Sequence, residues 1–147
     1  MATPEEISLL RAEVIDKSIN IEWLINSIIS QHFFGKPRID FVSLVLYDEY
    51  CSFALKRRVL IKIKPELAGK TEHAINRLNT IRNYFAHVGQ GFIDGPDPNG
   101  PSRVPDPRDF SKSVDFAALS AEFNALEAGL NNQLFSLFKE MGGEVAA

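Results

Sequence analysis

Residues 3–34 have the sequence TPEEISLLRAEVIDKSINIEWLINSIISQHFF, in which apolar side chains recur at steps of three and four. This spacing places them on one face of an α-helix. Thr3 is a suitable N-cap, Pro4 suits the first helical position, and Gly35 and Pro37 oppose continuation past the stretch. The sequence therefore predicts one long amphipathic helix. Its predicted core positions are Ile7, Leu10, Val14, Ile21, Leu24, Ile25 and Ile28.

Helical periodicity continues along most of the remaining chain. Residues 52–64, 71–88 and 116–141 carry apolar side chains at helical spacing. Residues 41–50 are apolar enough for a strand, but they lie between helical patterns without a partner strand, so we predict a short helix there. The predicted fold is therefore all-α: a single up-and-down helical bundle of about five helices that spans residues 1–147.

A stretch rich in proline and glycine interrupts this pattern at residues 89–109. It contains five prolines and four glycines, a composition that opposes both a helix and a hydrogen-bonded ladder. Loops longer than about 12 to 15 residues are uncommon in compact domains, so this one is either a functional lid or a tolerated insertion. We predict a long exposed loop, with the insertion favoured.

The charge of the chain is small overall but uneven along the sequence. The formal net charge is −3, whereas residues 56–82 carry eight basic side chains against two acidic ones. If these basic residues share a face, they form a surface that can bind an anion. The alternative is that they are solvated helix positions paired with the acidic flanks, which is common for such runs.

Composition argues against several other classes of protein. No apolar run approaches the ~20 residues that span a bilayer, and the acidic amino terminus lacks the basic region of a signal peptide. Three scattered histidines and the single Cys51 do not have the spacing of a zinc site. We therefore expect a cytoplasmic protein that has no membrane segment and uses neither a metal nor another cofactor.

One short motif carries groups that can perform chemistry: Arg82, Asn83 and His87, at the end of the fourth predicted helix. Asn83 and His87 share a helix face, and the long Arg82 side chain can reach the same region. A guanidinium binds phosphate oxygens bidentately, an imidazole transfers protons near neutral pH, and an amide orients either group. Such a trio suits metal-free RNA cleavage. The alternative is structural: Arg82 and Asn83 brace neighbouring helices, and His87 closes the helix C-terminus.

The motif resembles that of the HEPN superfamily, in which four to six residues separate an arginine from a histidine. Here four residues separate Arg82 from His87. The form IRNYFAH, residues 81–87, is similar to small bacterial HEPN-like proteins allied to the mannitol operon repressor family. The helical pattern and the preceding segment SFALKRRVLIKI, residues 52–63, extend the resemblance over most of the chain.

This resemblance implies a homodimer that places two copies of the motif across a cleft. For the active branches of the superfamily it implies a metal-independent endoribonuclease, often used in toxin–antitoxin or defence systems. Other members are non-catalytic regulatory or interaction modules, and the motif alone does not separate the two groups. The loop at residues 89–109 is a departure from the family pattern.

Two functions therefore remain open. In a ribonuclease, Arg82, Asn83 and His87 are the predicted catalytic residues, and Tyr84 is placed to stack on a base. In a non-catalytic dimeric module, a protein partner would bind this net-acidic chain at exposed apolar positions within residues 110–141. For a toxin-like ribonuclease, the protein partner would be an antitoxin. The full set of predicted RNA-binding residues is Lys56, Arg57, Arg58, Lys62, Arg77 and Tyr84.

Overall fold

The computed structural model describes residues 4–36, 38–86, 103–106 and 109–144, and helices dominate this part of the chain. The fold is an all-α helical bundle, as the periodicity predicts. The elements in chain order are α1 (Pro4–Phe34), α2 (Ile39–Phe41), a π-helical turn (Val42–Leu46), α3 (Phe53–Ile63), a 3₁₀ turn (Pro65–Leu67), α4 (Lys70–Ala86), β1 (Arg103–Asp106), β2 (Asp109–Asp115) and α5 (Phe116–Glu140).

The helix boundaries agree closely with the sequence patterns. α1 has the predicted bounds, and Gly35 directly after it adopts a left-handed φ of 69° that a residue with a side chain rarely adopts. α3 begins after Ser52, whose hydroxyl accepts a hydrogen bond of 3.1 Å from the Leu55 amide. The prediction of a short helix within residues 41–50 is confirmed for Val42–Leu46, which form the π-helical turn, whereas residues 47–50 form turns and a bend.

The segment predicted as a loop contains part of a short sheet. β1 pairs with β2 in antiparallel register, so the prediction that residues 89–109 form no ladder is wrong for residues 103–106 and for Asp109. Both strands of a two-stranded sheet are edges, and an edge tolerates a proline, which has no amide hydrogen to donate. The pairing register also shifts between Pro105 and Asp106, which is typical of a β-bulge. Residues 89–102, 107 and 108 lie outside the described residues.

The contacts of the chain group into two compact units, each built from separate stretches of sequence. The first unit combines Met1–Ser18 with Arg77–Glu127. Within it, Phe85 near the end of α4 stacks on Phe116 at the start of α5, with ring centroids 4.6 Å apart. The buried apolar residues of this unit are Ile7, Val14, Leu78, Ile81, Phe85, Phe116 and Phe123.

The second unit combines Ile19–Asn76 with Ala128–Ala147. The buried Gln31 amide donates to the carbonyl oxygens of Gly35 and Met141, each at 3.0 Å. The Gln31 side chain thus donates hydrogen bonds to backbone carbonyls just beyond the ends of both α1 and α5. The buried apolar residues of this unit are Ile21, Leu24, Ile25, Ile28, Ile29, Leu46, Leu60, Leu67, Ile75, Leu130, Leu134 and Phe138.

The exposed apolar side chains do not lie where the sequence predicts them. All large apolar side chains of residues 114–141 are buried or half-buried, so the expectation of exposed apolar positions there is wrong. The reason is that α5 contributes core residues to both units. None of the described helices combines the length and apolarity needed to cross a bilayer. The exposed large apolar residues of the described chain are Leu9, Ile19, Trp23, Phe33, Phe34, Ile39, Leu44, Val45, Tyr47, Tyr50 and Leu55.

Candidate functional site

The described part of the predicted motif lies on the last turns of α4. Arg82 is exposed and Asn83 is half-buried, and the Arg82 Nη1 atom donates a hydrogen bond of 3.2 Å to the Asn83 side-chain oxygen. No carboxylate among the described residues forms an ion pair with Arg82. His87, the third predicted catalytic residue, lies outside the described residues. Within the described chain, the motif therefore presents a guanidinium that contacts an amide oxygen.

The end of α4 is held in place by residues other than the motif. The Arg11 side chain on α1 donates from Nε to the Phe85 carbonyl oxygen at 3.1 Å, and this carbonyl is among the last of the helix. The Phe85 ring is fully buried and stacks on Phe116. The sequence does not predict this role for Arg11, because the hydrogen bond joins residues 74 positions apart. Since Arg11 and Phe116 hold this helix end, the fold does not require Arg82 to do so.

Replacing Arg11 with methionine should loosen the end of α4. Methionine keeps the apolar stem but removes the charged donor, so the free energy of unfolding should fall by about 1 kcal/mol. The backbone amides of Phe85 and Ala86 should also exchange faster in a hydrogen-exchange measurement. Unchanged exchange at these amides, together with unchanged stability, would show that the Arg11 contact does not hold this helix end.

The other predicted RNA-binding residues of the first unit are Arg77 and Tyr84. Arg77 is exposed, but its Nε atom donates to both carboxylate oxygens of Glu122, at 2.9 and 3.1 Å. This pair lies at a shallow surface depression of about 360 Å³ that Val114 and Ala118 also line. Tyr84 is half-buried. A phosphate that binds Arg77 must compete with Glu122, whereas no described carboxylate competes for Arg82.

The basic residues of α3 belong to the second unit and differ in exposure. Arg58 and Lys62 are exposed, and the half-buried Arg57 donates to an asparagine side chain of α4. Lys56 differs from them, because its side chain is only 1% exposed. It lies one helical turn before the buried Leu60, and therefore on the buried side of α3. The structure thus corrects one part of the prediction: Lys56 does not belong to an exposed basic face.

A small network surrounds the buried Lys56 ammonium. Its Nζ atom lies 2.5 Å from Oε1 of Glu22 on α1 and 4.6 Å from the centre of the Tyr47 ring. Burial raises the pKa of the Tyr47 hydroxyl, the Asn26 side chain opposes this shift, and the negative charge of Glu22 adds to it. Lys56 therefore links the residue that follows the π-helical turn to α1.

Protein-family models, curated proteins and solved structures gave no match to the chain. The HEPN resemblance therefore rests on the motif and on the helical pattern of the sequence. Among the described residues, no three His, Cys, Asp or Glu side chains lie close enough together to hold a metal ion. The class that fold and site define is an all-α helical bundle with an exposed arginine near the end of α4.

Proposed function

We propose that the protein is a metal-independent endoribonuclease of the HEPN type, in which Arg82, Asn83 and His87 act on the RNA backbone. The observation that carries this proposal is the state of Arg82: it is exposed, it has no ion pair with a described carboxylate, and it contacts the Asn83 oxygen at 3.2 Å. Other residues hold the end of α4. The planar guanidinium fork matches two oxygens of a phosphate diester, so Arg82 suits an RNA substrate.

The proposed reaction is an internal transesterification at phosphorus. The ribose 2′-oxygen forms a bond to the adjacent phosphorus, and the bond from phosphorus to the 5′-oxygen of the next nucleotide breaks. His87 acts in proton transfer, as the base that takes the 2′-hydroxyl proton or as the acid that protonates the leaving 5′-oxygen, and water supplies or accepts the other proton. Arg82 stabilises the negative charge that develops on the phosphate oxygens, and Asn83 orients Arg82. The products carry a 2′,3′-cyclic phosphate and a 5′-hydroxyl.

The test of this proposal is RNA cleavage in the presence of a chelator. Purified protein is incubated with a mixed RNA pool in excess EDTA, and the chemistry of the new ends is determined. Ends with a 2′,3′-cyclic phosphate and a 5′-hydroxyl are expected. Cleavage that needs added Mg²⁺, or that leaves 3′-hydroxyl ends, would contradict the mechanism. Light scattering on the same sample tests the homodimer that the HEPN resemblance implies.

A second candidate is a non-catalytic dimeric regulatory module, similar to the mannitol-repressor-like members of the superfamily. The observation that favours it is the concentration of exposed apolar side chains within residues 33–55. Under this alternative the wild-type protein leaves RNA intact, and its measurable activity is the binding of a protein partner.

A further inference from the structure

Residues 39–50, which we call the 39–50 surface, expose large apolar side chains to solvent. Ile39 is 81% exposed, Leu44 is 76% exposed and Tyr50 is 85% exposed. Leu46 is the one buried residue of this described segment. Single exposed apolar residues are common on proteins, but a concentration of them marks a site of interaction. The segment also contains the π-helical turn, an irregularity that is frequent at functional sites.

The backbone of the 39–50 surface is anchored to the rest of the second unit. The buried Leu46 lies in its centre, and the Phe41 ring packs edge-on against Phe34 with centroids 4.9 Å apart. The Tyr47 amide donates to the Val42 carbonyl at 2.9 Å, and its ring covers the Lys56 ammonium. The exposed side chains therefore project from a supported backbone, which lowers the entropy lost when a partner binds.

The charge of the 39–50 surface is acidic. It carries Asp40, Asp48 and Glu49, and it contains no lysine or arginine. All three carboxylates are exposed, and Asp40 pairs with the neighbouring Arg38. A second copy of the same surface would bring like charges together, and RNA or an anionic membrane would meet the same repulsion. Electrostatic complementarity therefore favours a cationic partner.

The secondary structure of the surface limits how that partner is recognised. The segment is helical or turn throughout, so it offers no open strand edge for β-augmentation. Recognition must then use side chains, and an amphipathic helix presents apolar side chains on one face and basic ones beside them. We propose that the 39–50 surface is a docking site for a cationic amphipathic helix of a partner protein. This inference does not depend on the ribonuclease activity.

Two synthetic peptides of equal length test the proposal. Both carry leucine on one helical face, and the other positions are lysine in the first peptide and glutamate in the second. We expect the full-length protein to bind the lysine peptide at least tenfold more tightly by fluorescence anisotropy. Leu44→Ser and Tyr50→Ser should each weaken this binding at least threefold. Leu9→Ser is the matched control, because Leu9 is 70% exposed on α1, and it should bind as the wild type does.

The charge on the surface is tested by a second pair of variants. Glu49→Gln should weaken binding of the lysine peptide at low ionic strength, whereas Glu140→Gln, at the end of α5, should not. Absence of binding, equal binding of the two peptides, or full binding by Leu44→Ser would overturn the proposal. So would a change of oligomeric state in Leu44→Ser by light scattering, because the surface would then join copies of this chain. RNA cleavage should be unchanged in Leu44→Ser, which keeps this test separate from that of the ribonuclease.

Discussion

Replacing His87 with alanine is expected to lower RNA cleavage in EDTA at least about 100-fold, because loss of a general acid or base typically has an effect of about 10² to 10⁴. Arg82→Ala should lower it by a similar factor, since the charge that develops on the phosphate oxygens loses its stabilising cation. Single-turnover rates with a labelled RNA measure both effects. Circular dichroism of each variant tests whether it remains folded.

Two further variants test whether positive charge alone, or a contaminating nuclease, accounts for the cleavage. Arg82→Lys keeps a positive charge but lacks the planar fork, so it should recover only part of the rate that Arg82→Ala loses. His73→Ala removes an exposed histidine of the same helix that is outside the motif, and it should cleave RNA at the wild-type rate. Equal cleavage by the wild type, His87→Ala and Arg82→Ala would exclude the proposed site and point to a contaminating nuclease.

Replacing Glu22 with glutamine should lower the free energy of unfolding by about 3 kcal/mol, because it leaves the Lys56 ammonium buried without a counter-charge. Lys56→Met should have a smaller effect, about 1 kcal/mol, because methionine fills the apolar space and the remaining Glu22 carboxylate is 29% exposed to water. Urea unfolding followed by circular dichroism measures both changes.

The double variant with Glu22→Gln and Lys56→Met distinguishes the ion pair from packing. It should be more stable than Glu22→Gln alone, because no charge is then left buried. Glu13→Gln is the control: it removes the partner of Lys17 in an exposed pair at 2.8 Å and should change the unfolding midpoint little. If Glu22→Gln unfolded at the same urea concentration as the wild type, the buried pair would have no net role in stability.

The helices were predictable because their signals are local. The apolar spacing of α1 and the residues at its ends define the bounds that the structure has, and Ser52 caps α3 through a contact three residues away. The sheet formed by residues 103–106 and 109–115 was not predictable from composition, because proline opposes a ladder in general and is tolerated only at an edge. Whether a strand lies at the edge of a sheet is decided only when the sheet forms.

The candidate site was predictable only in part, and for a similar reason. The motif identifies Arg82 and Asn83, and the contact between them joins adjacent residues. The hydrogen bond from Arg11 to Phe85 has no counterpart in any local pattern. Neither does the burial of Lys56, whose ion-pair partner lies 34 positions earlier in the chain. A run of basic residues looks uniform in the sequence, although its members differ in exposure and pairing.

Interactions between residues a few positions apart can be recognised from the sequence alone. These interactions determine the all-α class, the helix ends and the position of the motif near the end of α4. Burial and ion pairing depend instead on residues that are distant in the chain and close in the fold. Packing therefore decides that Arg82 is exposed, that Arg77 and Lys56 are paired with Glu122 and Glu22, and that residues 39–50 direct apolar side chains to solvent.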